Sequence, residues 1–129
     1  MPELRFEIPG VPPSGNHYKH FRVMPTPNGK HIPSWYHTKE AKQWFATVDA
    51  IAAGRKLRGE TYTVSYVVFT GSLVCTDVDN YAKCILDSLG QAGVIDNDKK
   101  VVDLHGYRRV DRNNPRTIVI IRTAQETLL

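Results

Sequence analysis

Two aspartates separated by one residue, Asp77 and Asp79, stand just before a helix-like run, and a third, Asp98, follows that run. Residues 76–103 contain six aspartates and three lysines, a net charge of −3, whereas the rest of the chain contains 14 lysines and arginines and seven acids, a net of +7. Carboxylates so close together repel one another unless a positive charge lies between them. Hard cations such as Mg²⁺ take oxygen ligands, often one or two carboxylates with water and phosphate oxygens. The pattern predicts a metal site in a chain whose basic body attracts nucleic acid.

Each acid before or on the helix also has a purely structural interpretation. Asp is a preferred N-cap residue, worth about 1 kcal/mol, so either Asp77 or Asp79 could cap the helix, although only one of the two can. Asp79, Lys83 and Asp87 lie four residues apart on one helix face. Ion pairs on an ordinary solvated face contribute only a few tenths of a kcal/mol each. Helix geometry does not decide between these alternatives and a metal site.

The third acid lies in the segment IDNDKK, where Asn97 and Asp98 are both typical turn residues. In the metal hypothesis, Asp98 returns beside Asp77 and Asp79 when the strand that follows it pairs with the strand that precedes them. Three carboxylates would then hold one cation, which would bind a phosphodiester and steady its leaving oxygen. Lys83 nearby could offset charge in the transition state. No spacing rule requires this convergence, so it depends on the fold.

Hydrophobic periodicity predicts the elements that must position these residues. The predicted elements are strand 3–8, a helix from a Thr38 cap to about Lys56, strand 61–70, a helix from about Asp79 to Gln91, and strands 101–110 and 116–123. The turn DRNNP joins the last two strands as a predicted hairpin. The order β-α-β-α-β-β predicts an α+β fold, a single domain over residues 1–129 with a mixed sheet and two helices on one face.

Residues 12–37 are rich in proline and glycine and are predicted to form a long loop that carries basic residues between aromatic ones. The sequence has no apolar stretch of membrane-spanning length and no apolar leader, so we expect a cytoplasmic protein without membrane contact. Its cysteines, Cys75 and Cys84, fit neither zinc spacing nor a disulfide framework, and we interpret both as buried apolar residues.

The chain reads DVDNYAK at 77–83, LDSL at 86–89, Gly93, and DKKVV at 98–102, with PPSGN at 12–16. This series resembles the core D-x-D-N-x-x-K, D-x-L, G and D-x-x-V of the RusA-type Holliday-junction resolvases, with the P-P-S-x-N entry of that family ahead of it. These are small bacterial and phage endodeoxyribonucleases. The resemblance covers most of the chain in the same order, and the spacing fits.

The resemblance implies a metal-dependent endodeoxyribonuclease in which Asp77, Asp79 and Asp98 coordinate Mg²⁺, or Mn²⁺ in its place, and Lys83 is needed for catalysis. Family members tend to carry two acids where this chain has Asn97 and Asp98, so Asn97 departs from the pattern. The implied reaction is the resolution of four-way DNA junctions by paired symmetric nicks in recombination and repair.

The resemblance also implies a homodimer, and a two-fold dimer presents two identical sites to a junction that is itself nearly two-fold symmetric. Lysines and arginines would hold the branched DNA by its phosphates, so binding should weaken steeply with salt. The alternative for each candidate is an ordinary surface role. The candidate DNA contacts are Asn16, Tyr18, Lys19, Arg22, Lys30, Arg108, Arg109 and Arg112.

Other functions share the D-x-D pattern. Haloacid-dehalogenase-like phosphatases need Thr or Val two residues after the second aspartate, where this chain has Tyr81. Metal-dependent glycosyltransferases normally need a larger nucleotide-binding domain. The non-enzymatic alternative is a nucleic-acid-binding module whose acids only cap and solubilise. Mg²⁺-dependent cleavage of a four-way junction separates these hypotheses.

Overall fold

A computed structural model describes residues 3–14, 19–72 and 78–124, apart from the side chains of 19–24 and 32–35. Within these residues the chain forms six strands and two α-helices. They are β1 (Glu3–Pro9), β2 (Lys19–Pro25), β3 (His31–His37), α1 (Lys39–Ala52), β4 (Tyr62–Thr70), α2 (Ala82–Gln91), β5 (Val101–Val110) and β6 (Arg116–Thr123). Short 3₁₀ turns, Val78–Tyr81 and Asp98–Lys100, precede α2 and β5.

Four of the strands form one mixed sheet in the order β1-β6-β4-β5. Strand β6 is antiparallel to both β1 and β4, whereas β4 and β5 are parallel. Alternate residues of β1, β4 and β6 are buried, and the two helices cover that face with their own apolar residues. The expected α+β domain with a mixed sheet and two helices is confirmed.

The predicted hairpin between β5 and β6 is wrong. Strand β6 lies between β1 and β4, on the far side of β4 from β5. Thr117, Val119 and Ile121 are fully buried, and a central strand achieves this because it has neighbours on both sides. Strand β5 is exposed along most of its length. A short turn favours a hairpin locally, but the burial of β6 decides the strand order.

The structure also differs from the expected loop over residues 12–37. Strands β2 and β3 form a separate antiparallel hairpin within that segment. At its turn the amide of Thr26 donates to the carbonyl of Lys30 at 2.7 Å, and Gly29 takes a positive φ of 77°. The prolines that suggested a loop are tolerated because both strands of a two-stranded sheet have a free edge.

Helix α1 begins where the sequence predicts, because the Thr38 hydroxyl accepts a hydrogen bond from the Ala41 amide at 3.2 Å. It ends at Ala52, earlier than expected, where Ala53 adopts a left-handed conformation with φ of 50°. The Trp44 indole N–H donates to the Ser88 hydroxyl at 3.1 Å. This buried hydrogen bond ties α1 to α2 and so fixes the helix that carries the candidate lysine.

Helix α2 begins at Ala82 rather than at Asp79. The Val78–Tyr81 segment forms a 3₁₀ turn instead, and Tyr81, at the N-cap position of α2, makes no side-chain cap hydrogen bond. Asp79 therefore does not cap α2. Tyr81, Cys84, Ile85 and Leu89 are buried in the core, so this stretch is held to the sheet by packing.

Candidate nuclease site

The side chain of Lys83 joins two acidic elements. Its ammonium nitrogen lies 3.2 Å from Asp87 Oδ1, one helical turn away, and 3.8 Å from Asp98 Oδ2 in the 3₁₀ turn before β5. The Lys83 side chain is 65% exposed, so a phosphate group could reach it. The lysine supplies part of the positive charge that the clustered acids require, and the structure thereby brings Lys83 and Asp98 together.

Asp98 is positioned by the cap of its own short turn. The Asn97 side-chain oxygen accepts a hydrogen bond from the Lys99 amide at 2.9 Å. Asn97 therefore has a turn-capping role, as its residue type indicated. Asp98 is the first residue of the turn that Asn97 caps.

The start of this segment is anchored to β4 through Asp96. One Asp96 oxygen lies 3.0 Å from the Tyr62 hydroxyl, and the other lies 2.7 Å from the Lys100 ammonium. The hydrogen bond from Lys100, followed by that from Tyr62, lowers the pKa of Asp96 below its ordinary value. The Tyr62 hydroxyl also lies 2.9 Å from the Leu57 carbonyl. These contacts fix the backbone that leads into Asp98.

Asp79 is positioned from the other side by Tyr66. The Tyr66 hydroxyl donates to the Val78 carbonyl at 2.7 Å. Burial, and secondarily the negative charge of Asp79, raises the pKa of Tyr66. The Tyr66 ring lies against Gly106 of β5 so closely that a Cβ there would be 2.5 Å from the hydroxyl oxygen. A glycine in the strand thus allows a buried tyrosine to hold the turn that carries Asp79.

An open cavity of about 510 Å³ adjoins the exposed carboxylate of Asp79. Residues 106–109 of β5 line its other side, including Arg108 and Arg109. The Arg109 guanidinium lies 5.6 Å from the centre of the Tyr107 ring and donates to the Arg108 carbonyl at 2.9 Å. One acid and two candidate phosphate contacts therefore share one depression.

The remaining predicted residues divide into three groups. Asp77, Asn16 and Tyr18 lie outside the described residues. Lys19 and Arg22 belong to β2, but their side chains are not described. The exposed Lys30 lies in the β2–β3 turn, and the exposed Arg112 lies in the β5–β6 turn.

The donor chemistry of the predicted metal ligands suits a hard cation, because Asp79 and Asp98 offer carboxylate oxygens. Among the described residues, no group of three or more His, Cys, Asp or Glu side chains forms a metal cluster. The predicted third ligand, Asp77, is outside those residues. The described part of the chain therefore contains two members of the expected donor set.

Sequence reasoning missed the positioning roles of Tyr62, Tyr66 and Gly106. Both tyrosines fall on the buried face of β4 by simple alternation, and a buried tyrosine hydroxyl normally has a hydrogen-bond partner. Glycine within a strand often marks a close approach of another group. These signals were present in the sequence, but the partners that matter for the site, Asp96, Val78 and Tyr66, lie in other elements of the chain.

The sequence model described as Endodeoxyribonuclease RusA matches residues 9–122 of the 129-residue chain. The chain belongs to the RusA endodeoxyribonuclease family. RusA enzymes are nucleases that act on branched DNA, and the match contains the whole of the candidate site. A search of curated proteins found no match. In the part of the chain that the structure describes, neither helix has the length and apolarity needed to cross a membrane.

Proposed function

We propose that this RusA-family protein is a metal-dependent, structure-specific endodeoxyribonuclease that resolves four-way DNA junctions by paired symmetric nicks. It would act as a homodimer in recombination and repair, in the bacterial cytoplasm where host and phage DNA is found. The observation that carries the proposal is the Lys83–Asp98 contact of 3.8 Å, since it joins two family-motif segments that are separate in the sequence. The family match over 9–122 supports the reaction class.

Asp77, Asp79 and Asp98 would hold Mg²⁺, or Mn²⁺ in its place. A divalent cation bound there supplies electrostatic stabilisation to the phosphodiester that is cut. The two described members enter the site from different elements, Asp79 from the turn before α2 and Asp98 from the turn before β5. Their placement depends on the Tyr66 and Asn97 hydrogen bonds, because these hold the two turns.

Lys83 would contact the scissile phosphate and offset the negative charge that develops on it. Asp87 supports this role, because its carboxylate holds the ammonium group at 3.2 Å on the side of α2 that faces Asp98. The lysine would thereby stay close to the acids before DNA binds. Its high exposure leaves its remaining hydrogen-bond donors open to a phosphate oxygen.

DNA would be held mainly by phosphate contacts from two regions. Arg108 and Arg109 would contact phosphates at the cavity beside Asp79. The β2–β3 hairpin and the segment before it would supply the rest, namely Asn16, Tyr18, Lys19, Arg22 and Lys30. Removing one phosphate contact, as in Arg108→Ala, should lower the slope of log affinity against log salt by about 0.9. A titration of junction binding at several salt concentrations measures that slope.

The direct test is cleavage of a synthetic four-way junction in Mg²⁺, compared with a linear duplex of the same sequence. We expect paired nicks near the crossover from the wild-type protein and none from the duplex. Asp79→Asn should bind the junction with unchanged affinity but cut it at least about 100-fold more slowly. Asp49→Asn is the matched control, since Asp49 is an exposed acid on α1, and its activity should equal wild type. Normal cleavage by Asp79→Asn refutes the role given to that residue.

The same assay addresses the non-catalytic alternative. A wild-type protein that binds the junction tightly and cuts nothing in either Mg²⁺ or Mn²⁺ would be a binding module. The acids would then serve only to cap turns and to form surface ion pairs.

A further inference from the structure

Another cavity, of about 540 Å³, lies where the chain leads from α1 into β4. Residues 56–59, which connect these two elements, line one side of it, and residues 93–96, which follow α2, line another. Two of the lining residues, Lys56 and Arg58, are exposed and basic. Among the described residues, none of those assigned above to the metal, the scissile phosphate or DNA contacts lines this cavity.

The residue between the two cations is held firmly by the fold. The Leu57 side chain is buried, its amide donates to the Val94 carbonyl at 3.0 Å, and its carbonyl lies 2.9 Å from the Tyr62 hydroxyl. Lys56 and Arg58, on either side of it, are exposed. Because the backbone that carries both cations is already fixed, binding a ligand there orders less of the chain.

The two cations have no acid beside them. In the part of the chain that the structure describes, neither Lys56 nor Arg58 forms an ion pair. The neighbouring Arg55, by contrast, donates to the carbonyls of Ala52 and Ile51 at the end of α1, at 3.2 and 3.0 Å. Two positive charges on one cavity wall, without a described counter-charge, attract an anion.

The rest of the lining suits a phosphate group. The acid that lines the cavity, Asp96, is already held by the Lys100 ammonium at 2.7 Å. The Lys56 side chain lies across Gly93, where a Cβ would be 3.5 Å from Lys56 Cε, and a Cβ at Gly90 would meet nothing within 4 Å. An arginine offers paired donors that match phosphate oxygens, and a lysine adds a point charge. The glycines leave room for such a group to approach.

The cavity continues into the candidate nuclease site. Gly90 and Asp96 also line a neighbouring cavity of about 410 Å³, whose wall includes Asp87 and Asp98. These two acids are the ion-pair partners of Lys83. A DNA strand bound at Lys83 therefore has an open path into the cavity that carries the two cations.

This cavity and the arginine pair of β5 lie at different levels of the sheet. Tyr62, which lines the cavity, begins β4, whereas Arg109 pairs with Phe69, seven residues farther along β4. At about 3.3 Å per residue, the two levels are about 23 Å apart. Tyr66, which holds the turn that carries Asp79, lies between them. The two basic regions thus flank the candidate site along the strand direction.

We propose that Lys56 and Arg58 bind a backbone phosphate of the DNA substrate in this cavity, on the opposite side of the cut from Arg108 and Arg109. The identity of the ligand rests on the proposed function, because it is the DNA that the site cuts. A phosphate contact positions the strand and carries no base sequence. Contacts on both sides of the site fix the scissile phosphate between them, which favours its reaction.

Junction binding by the full chain tests the contact, measured without Mg²⁺ or Mn²⁺ so that no cleavage is needed. Lys56→Gln and Arg58→Gln should each weaken the affinity about 3- to 10-fold and lower the slope of log affinity against log salt by about 0.9. Both side chains are exposed, so the melting temperature should not change. Arg5→Gln is the matched control, since Arg5 is exposed on β1 at the far edge of the sheet. Wild-type affinity in both variants, or an equal loss in Arg5→Gln, overturns the proposal.

Junctions that carry single neutral methylphosphonate linkages identify the phosphate. Neutralising the phosphate that Arg58 contacts should weaken binding by wild type and leave the affinity of Arg58→Gln unchanged. Arg108→Gln should stay sensitive to that linkage and become insensitive to a different one. The proposal is wrong if Arg58→Gln stays sensitive to every linkage, or if both variants lose sensitivity at the same phosphate.

Failure of this proposal and failure of the proposed function give different results. A chain that binds the junction through Lys56 and Arg58 but cuts nothing in Mg²⁺ overturns the proposed function alone. A chain that cuts junctions while both variants bind like wild type overturns the phosphate contact alone. Stabilisation against heat by inorganic phosphate that requires Arg58, without any effect of Arg58→Gln on junction affinity, would assign the cavity to free phosphate and also overturn the contact.

Discussion

The hydroxyl of Tyr66 donates a hydrogen bond to the carbonyl of Val78 at 2.7 Å, across the face of β5 at Gly106. Val78 immediately precedes Asp79, so a buried residue of β4 holds the backbone of a predicted metal ligand. The turn cannot shift without breaking this bond, because the Tyr66 ring is itself buried in the core. The relationship makes Tyr66 a positioning residue for Asp79, and it can be tested separately from the acids.

Tyr66→Phe should keep the ring packing and remove the hydrogen bond to Val78. We expect the free energy of unfolding to fall by about 1 kcal/mol, because the partly buried Val78 carbonyl loses its hydrogen-bond partner. Junction cleavage should fall about tenfold in kcat with little change in KM, since the turn carrying Asp79 becomes less constrained. Single-turnover kinetics and urea denaturation measure the two effects. Asp49→Asn is the control, because Asp49 is an exposed acid on α1, and equal losses in both variants would contradict the positioning role.

Gly106→Ala should be destabilising, because the added Cβ would lie 2.5 Å from the Tyr66 hydroxyl oxygen and 2.6 Å from the adjacent ring carbon. Overpacking of this kind lowers the free energy of unfolding by about 1–3 kcal/mol, because side chains and backbone must shift to make room. Gly90→Ala provides the control, since a Cβ at that helical position meets nothing within 4 Å, and it should stabilise α2 by about 0.5–1 kcal/mol. Thermal unfolding measures both. Equal melting temperatures for the two variants would argue against a close Tyr66–Gly106 contact.

Lys83→Met should remove junction cleavage without unfolding the protein. Its contacts with Asp87 and Asp98 lie at the surface, so the loss in stability should be under about 1 kcal/mol. Cleavage should fall at least about 100-fold, because the charge facing the phosphate is lost. Asp87→Asn keeps the lysine and should reduce cleavage less than Lys83→Met does. A larger loss of cleavage in Asp87→Asn than in Lys83→Met would indicate that Asp87, and not Lys83, faces the DNA.

Cys84 should be unreactive in the folded protein. Burial, and secondarily the nearby Asp87, raises the pKa of the Cys84 thiol from its ordinary 9.0 to about 12. In a Cys75→Ser background, a thiol reagent at pH 8 should label the chain only after denaturant is added. Because the folded pKa is the higher one, the contribution to stability is complete below pH 9 and is lost as pH rises toward 12. Rapid labelling of the native chain would show that the helix face opens.

The loss of fold stability at acid pH should depend in part on Asp111 in the β5–β6 turn. The Arg116 guanidinium lies 2.8 Å from its carboxylate and lowers its pKa below the ordinary 3.8. The pair therefore stabilises the fold above pH 3.8, and this contribution is lost as pH falls through the lower folded pKa. Asp111→Asn should flatten stability against pH in this acid range, measured by urea denaturation between pH 2 and 5. Asp49→Asn on α1 should leave the profile unchanged.

Short sequence patterns correctly predicted those features that depend only on neighbouring residues. The Thr38 cap formed as expected, because a threonine hydroxyl three residues before an amide is sufficient for that bond. The sequence placed the start of α2 too early, because Val78–Tyr81 forms a 3₁₀ turn. It did not predict the hairpin within residues 12–37, because the prolines of that segment favoured a loop. The hydrogen bond from Tyr66 to the Val78 carbonyl, which holds the 3₁₀ turn, joins segments that no short window contains, whereas the strands of the hairpin pair only within residues 19–37.

The residue types and spacing of the motif alone connected Asp79, Lys83 and Asp98 with one nuclease family, because catalysis requires particular side chains at those positions. Hydrophobic periodicity predicted the α+β domain, since the alternating and helical patterns are visible within single segments. Only the tertiary structure decided that β6 lies inside the sheet and β5 at its edge, and that Lys83 reaches Asp98 at 3.8 Å. Strand order follows from the total apolar surface that the whole chain buries, and contacts across the fold follow from that order. Neither the strand order nor these contacts can be read from a local stretch of residues.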